Sequence, residues 1–249
     1  MELNRFNFYK DKVAFNLLAK DLQNAREVVQ ATDGNVFIGI LSKQFSSVKE
    51  GVDYVKTFQK QIPLISVGLG SGDPNQWEMA AKIAAQTDPG HVNQVFTSAG
   101  YTLGLLNGKG CSKTIVNALI SPTGQVGKVK VSTGPASSLK NDAVIDVDTA
   151  LAMLKDVGVM SVKYFNMHGK EHLDELREVA KACVRCGIPI IEPTGGLTVD
   201  NVQEVVKVCL EQGCERVIAH VYSSIIDKKT GLTDISLTEK LYDKIKQLF

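Results

Sequence analysis

Eight times along this chain, a short apolar run rich in β-branched residues gives way to a longer stretch with helical periodicity. The short runs are KVAFNLLA (12–19), NVFIGILS (35–42), PLISVGLG (63–70), HVNQVFTS (91–98), TIVNALIS (114–121), VMSVKYFN (159–166), IPIIEPT (188–194) and RVIAHVYS (216–223). The helical stretches are 21–31, 46–60, 75–86, 100–108, 146–157, 171–186, 198–212 and 235–248. Most short runs are apolar on nearly every residue, the pattern of parallel strands covered on both faces. Asp21, Ser46, Asp146 and Thr198 stand where helix N-caps are needed, and Gly158, Gly187 and Gly213 stand just past helix ends. Eight strand–helix units in 249 residues predict one (β/α)8 TIM barrel domain over 1–249. A doubly wound open sheet is the alternative.

One interval is out of step. Between strand five and helix five the chain makes an excursion over 121–143, where PTGQVG reads as a turn, KVKVST as a short strand and GPASS as a loop. Strand-to-helix loops of a barrel share the catalytic face, so the excursion is either a wall or flap over the site or a contact between subunits.

The formal net charge is +1, with 44% apolar and 22% charged residues, and no basic stripe is interleaved with aromatics. That argues against nucleic acid as a partner. No apolar run approaches the roughly 20 residues that span a bilayer, and MELNRFNFYKDK lacks a signal-peptide core. The five cysteines, Cys111, Cys183, Cys186, Cys209 and Cys214, are odd in number. CVRC (183–186) has no second pair at zinc spacing, so these read as free thiols. A cytoplasmic protein with no membrane partner is expected, and a homo-oligomer, since single-domain barrels often assemble.

In a barrel, function is sought at the C-terminal strand ends. Lys163, inside MSVKYFNM, breaks an apolar strand with a cation. Unpaired, it would cost several kcal/mol. If Val162 and Tyr164 face outward, Lys163 faces the barrel interior, where low polarity and a second cation such as Lys43 would lower its proton affinity. A neutral amine there attacks carbonyls and forms a Schiff base. The competing reading is a buried ion pair with Glu192 on the next strand. Glu192 is also the best available general acid/base, with His220 as the alternative proton carrier or a purely structural histidine. EPTGG (192–196) offers backbone amides to an anion through Thr194, Gly195 and Gly196, with Thr198 opening a helix behind them and Ser223 donating from the next loop. Alone, TGG could equally be a tight turn. HGKEH (168–172) has the spacing of an inverted zinc-protease motif but holds a glycine at a strand-to-helix junction, so no metal site is expected. GLGSG (68–72) reads as a cavity wall, and His91, at the start of strand four, falls on the stability face.

Lysine in VKYF followed one strand later by EPTGG resembles the 2-dehydro-3-deoxy-6-phosphogluconate aldolases, whose better-known branch carries K-F-F-P and P-T-G-G at these places. LSKQF (41–45), SVGLGSGDPNQ (66–76), HVNQVFT (91–97), SPTG (121–124), STGP (132–135) and HVYSSIIDKKTG (220–231) are similar to the smaller branch tied to bacterial glucosaminate breakdown. The resemblance implies a class I aldolase. Lys163 would form the imine, Thr194, Gly195 and Gly196 would hold phosphate, and no cofactor would be needed. The substrate would be a small sugar-phosphate keto acid, cleaved to pyruvate and glyceraldehyde 3-phosphate. The same chemistry would serve 4-hydroxy-2-oxoglutarate, giving pyruvate and glyoxylate. Two departures stand out: Asn166 and His168 replace the proline and glycine of the pattern, and IGILSKQ (38–44) lacks the strand-two glutamate of the better-known branch. The rivals are an imine-free sugar-phosphate isomerase or epimerase, and a non-catalytic sugar-phosphate sensor.

Overall fold

A computed structural model describes residues 5–249; the first four positions of the expected domain lie outside the described residues. Eight parallel strands close into a barrel: β1 (Val13–Leu18), β2 (Val36–Leu41), β3 (Ile65–Gly68), β4 (Gly90–Val92), β5 (Ile115–Ser121), β8 (Ser161–Tyr164), β9 (Ile190–Pro193) and β10 (Arg216–Val221). They pair in the order β4-β3-β2-β1-β10-β9-β8-β5, and β4 returns to β5. The two remaining strands, β6 (Lys128–Val131) and β7 (Ala143–Asp146), form the excursion and extend β5 antiparallel. Eight α-helices are present among the described residues: α1 (Leu22–Ala31), α2 (Val48–Gln59), α3 (Trp77–Thr87), α4 (Ala99–Gly108), α5 (Val147–Asp156), α6 (Leu173–Cys186), α7 (Val202–Glu211) and α8 (Ile235–Lys246). None of them is long and apolar enough to cross a membrane.

The helices bury their apolar stripes on the outer face of the barrel, where Val28, Val55, Ile83, Leu176 and Val206 join outward strand residues such as Val162 and Tyr164 in one core. Asp21 caps α1 by accepting from the Asn24 amide. Three expected caps differ. Ser47 rather than Ser46 accepts from the Glu50 amide, while the Glu50 carboxylate reaches back to the Ser46 amide. Asp146 does stand at the N-cap position of α5, but its carboxylate pairs with Lys128 and caps no helix amide. Thr198 makes a local turn with Asp200, and α7 starts four residues later.

Strand alternation sorts the barrel interior into three layers. At the N-terminal strand ends, Ala14, Phe37, Ile115, Ile190 and Ile218 pack with Phe6 and Phe8 into a second apolar cluster. Two residues further along the strands stand Asn16, Ser66, His91, Asn117, Ser161, Glu192 and His220, all buried and joined by hydrogen bonds. Two further again come Gly68, Asn93, Leu119, Lys163, Thr194 and Tyr222, which line a cavity open at the C-terminal ends.

Candidate active site

Lys163 turns inward from β8 and is 8% exposed. Its Nζ donates to Asn93 Oδ1 at 2.9 Å and lies 3.1 Å from His220 Nδ1. Burial lowers its pKa to about 8, against the opposing pull of Glu192. An amine so placed is partly uncharged near neutral pH, the condition for attack on a carbonyl. Lys43 does not supply the second cation expected beside it. It is exposed on a short turn after β2, its aliphatic stem lying across Gly70 at the cavity wall, and the causes of the Lys163 shift are burial and Glu192.

Glu192 is the register partner of Lys163 across β8 and β9, but no ion pair joins the two. Glu192 lies one layer deeper and is fully buried. Its Oε1 accepts from Ser161 Oγ at 2.5 Å and His91 Nε2 at 2.9 Å. Its Oε2 accepts from Asn117 Nδ2 and His220 Nε2, both at 2.7 Å. Burial opposes its charge, yet the two imidazoles and their hydrogen bonds hold its pKa well below the usual range. An ionised carboxylate can only accept, so it fixes the tautomer of each histidine with the proton on Nε2. His91 Nδ1 is then free to accept from Ser66 Oγ at 2.7 Å, and that oxygen accepts from Asn16 and Asn93. On the other side, His220 Nδ1 presents its lone pair to Lys163 Nζ and to the Tyr222 hydroxyl, 2.7 Å away. Burial, and then Lys163, push the pKa of His220 down to about 3. His91 therefore sits in the network instead of on the stability face, because β4 is only three residues long and its middle residue is already at mid-barrel.

The cavity holds about 100 Å3 and is lined by the apolar Leu41, Leu69, Leu119 and Phe165 together with the polar Asn93, Lys163, Thr194 and Tyr222. The Gly68–Gly72 loop forms one side, as expected. Through Ser71, Gly72, Leu119 and Phe165 the cavity adjoins a second basin of about 240 Å3 lined by Lys130, Ser132, Thr133, Ser137 and Lys140 of the excursion. The excursion is thus a wall beside the mouth. Its turn is tied to α6 by Glu175, whose Oε2 accepts from the Thr123 and Gly124 amides at 2.8 and 3.1 Å.

Thr194 lines the cavity; Gly195 and Gly196, which follow it with φ of +101° and +71°, are not among its lining residues. A Cβ on either would overlap the 166–169 loop, whose Met167 and Gly169 amides donate to the Thr194 and Gly195 carbonyls. Close loop packing already demands these glycines. Ser223 is exposed on the neighbouring loop. His168 and His172 have ring centroids 6.3 Å apart, but His172 is bound to Glu175 at 2.6 Å. Among the described residues no group of three or more His, Cys, Asp or Glu is placed to hold a metal ion.

Asn93, Asn117 and Ser161 were not singled out by the sequence. Counting by twos from Glu192 and Lys163 within each strand would have placed Ser161 with the carboxylate; the other two depend on how the strands stagger.

Compared with known proteins, residues 9–229 match a family model described as KDGP aldolase. A 2-dehydro-3-deoxy-phosphogluconate aldolase of Salmonella typhimurium is 46% identical over 246 residues, spanning 99% of this chain and 100% of that one. Among solved structures, thiamine phosphate pyrophosphorylase from Pyrococcus furiosus superposes with a TM-score of 0.59 at 13% identity, covering 96% of this chain and 98% of that one. KGPDC from Streptococcus mutans in complex with D-R5P gives 0.58 at 14%, covering 95% and 99%. A mutant tryptophan synthase alpha-subunit from Pyrococcus furiosus gives 0.55 at 16%, covering 97% and 99%. These structural likenesses establish the barrel alone.

Proposed function

The chain belongs to the KDGP aldolase family, and on that premise we propose that it cleaves 2-dehydro-3-deoxy-6-phosphogluconate to pyruvate and glyceraldehyde 3-phosphate through an imine on Lys163. One observation carries the reading: a single buried lysine, with its pKa lowered to about 8, lines a cavity at the C-terminal strand ends. Lys163 Nζ attacks the C2 ketone, and loss of water leaves a protonated imine. That imine is the electron sink for breaking the C3–C4 bond, so the scheme calls for no metal or organic cofactor. The apolar walls suit the small pyruvyl half. Thr194, Gly195, Gly196 and Ser223 are assigned to the phosphate, with Lys43 adding positive charge near the mouth.

Gly195 and Gly196 are also explained by packing against the 166–169 loop, which favours 4-hydroxy-2-oxoglutarate as a second substrate to be compared. The reaction is placed in the cytoplasm, where the five free thiols stay reduced, and copies are expected to associate. Met153 and Val157 at α5 and Val184 on α6 are exposed apolar side chains that such a contact would cover.

Hydride trapping tests the reading. With pyruvate and borohydride, the intact protein is expected to gain one reduced pyruvyl adduct, mapped by mass spectrometry to the peptide carrying Lys163. Lys163→Met should lose both adduct and aldol cleavage. An unmodified wild-type protein would return the chain to the isomerase or sensor readings.

A further inference from the structure

Cleavage of a β-hydroxy imine needs a group that removes the hydroxyl proton and later protonates the enamine carbon. Glu192 cannot reach either position, because four donors occupy its oxygens and it has no face on the cavity. Of the side chains that line the cavity, two are ionisable: Lys163, committed to the imine, and Tyr222. The Tyr222 hydroxyl lies 2.7 Å from His220 Nδ1 and 3.2 Å from Asn16 Oδ1. It therefore has two acceptors for its one proton. In the resting site Lys163 Nζ also addresses His220 Nδ1, from 3.1 Å. Conversion of the lysine to an imine leaves that nitrogen a single hydrogen, which frees Nδ1 for the tyrosine.

On the aldolase reading above, we infer that Tyr222 is the proton-transferring residue at the substrate, backed by His220 and, through His220, by Glu192. The C4 hydroxyl gives its proton to the Tyr222 oxygen while that oxygen's own proton passes to His220 Nδ1. The electron pair of the broken O–H bond becomes the π bond of the aldehyde carbonyl, and the C3–C4 pair becomes the C2=C3 bond of an enamine. The imine π pair returns to the Lys163 nitrogen. The imidazolium so formed keeps its Nε2–H on the ionised Glu192, which compensates the new charge in place. After the aldehyde leaves, Tyr222 protonates C3 and recovers its proton from His220. Water then releases pyruvate from the imine. The hydroxyl–imidazole–carboxylate order is that of a hydrolase triad, but here the hydroxyl relays a proton and Lys163 is the nucleophile.

Tyr222→Phe removes one oxygen and keeps the ring beside Lys163. Exchange of the pyruvate methyl protons with deuterated water, followed by NMR, reads proton transfer at C3 without the aldehyde substrate. Borohydride trapping reads imine formation separately. The expected result is an adduct on Lys163 as in wild type, with methyl exchange and aldol cleavage slowed on the order of 10²–10⁴-fold. Wild-type exchange in the variant overturns the proposal. Loss of trapping in a variant with unchanged melting overturns it too, because the hydroxyl then serves imine formation. A wild-type protein that traps no pyruvate overturns both this proposal and the aldolase reading, which separates that failure from the other two.

Discussion

A lysine kept at a pKa of about 8 instead of 10.5 is a standing cost to the fold. Between these values the folded protein holds fewer protons than the unfolded chain, so stability rises with pH across that window. The penalty is fully present below about pH 8 and vanishes as pH passes 10.5. At about 1.4 kcal/mol per unit it comes to about 3 kcal/mol. Lys163→Met should therefore be more stable than wild type near neutral pH, by about 1–3 kcal/mol once the lost bonds to Asn93 and His220 are discounted. Urea denaturation at neutral and alkaline pH checks this, and the difference should close as pH approaches 10.5. Lys163 was legible in the sequence because it violates its surroundings. The setting of Glu192 was not. Its four partners come from β4, β5, β8 and β10, and no local pattern reveals that a carboxylate is saturated by residues so far apart in the chain.

At the level of elements, the eight units were readable because each strand and helix carries its own period, and boundaries moved where a local competitor won. Strand four was expected over 91–98 but ends at Val92. After it, the Gln94 amide donates to Asn117 Oδ1 instead of continuing the ladder, and Phe96–Ser98 coils into a short turn. The second half of the excursion, β7, was hidden because its alternate residues are exposed on both sides of Ile145 and only pairing with β6 defines it. Besides the β5–β6 pairing, one side chain of α6 ties down the turn of this excursion. Glu175 is buried and accepts from the Thr123 and Gly124 amides and from His172. Glu175→Ala strands these partners, so it should cost about 1–3 kcal/mol and loosen the turn. Hydrogen exchange at Thr123, Gly124 and the β6–β7 ladder is expected to quicken while the amides of β1 and β10 keep their protection. Equal protection throughout the excursion would mean that the β5–β6 pairing holds it unaided.

Across the whole molecule, stability and chemistry occupy different depths of one barrel. The apolar layer at the N-terminal strand ends is completed by the segment before β1, which doubles back through Tyr9 and Val13 and sets Phe6 and Phe8 against Phe37. Phe8 also supports Arg216, whose guanidinium carbon lies 5.4 Å from the ring centroid. Above this plug, the polar layer isolates Lys163 from it by a full level of hydrogen-bonded side chains. Closure of the barrel sets these levels, and closure depends on the register of all eight strands together, which is why the layers emerge only in three dimensions. The separation makes a distinct demand on Phe8→Ala. Removal of the ring leaves a void among Phe37, Ile115 and Ile218, and the loss should be about 3–5 kcal/mol by chemical denaturation. Because Phe8 belongs to the apolar cluster at the opposite end of the strands from Lys163, the folded fraction should still trap pyruvate on Lys163 at the wild-type rate. If trapping instead falls in step with stability under conditions where the variant is fully folded, the apolar plug and the polar layer act as one unit, and the position of Lys163 depends on packing two levels beneath it.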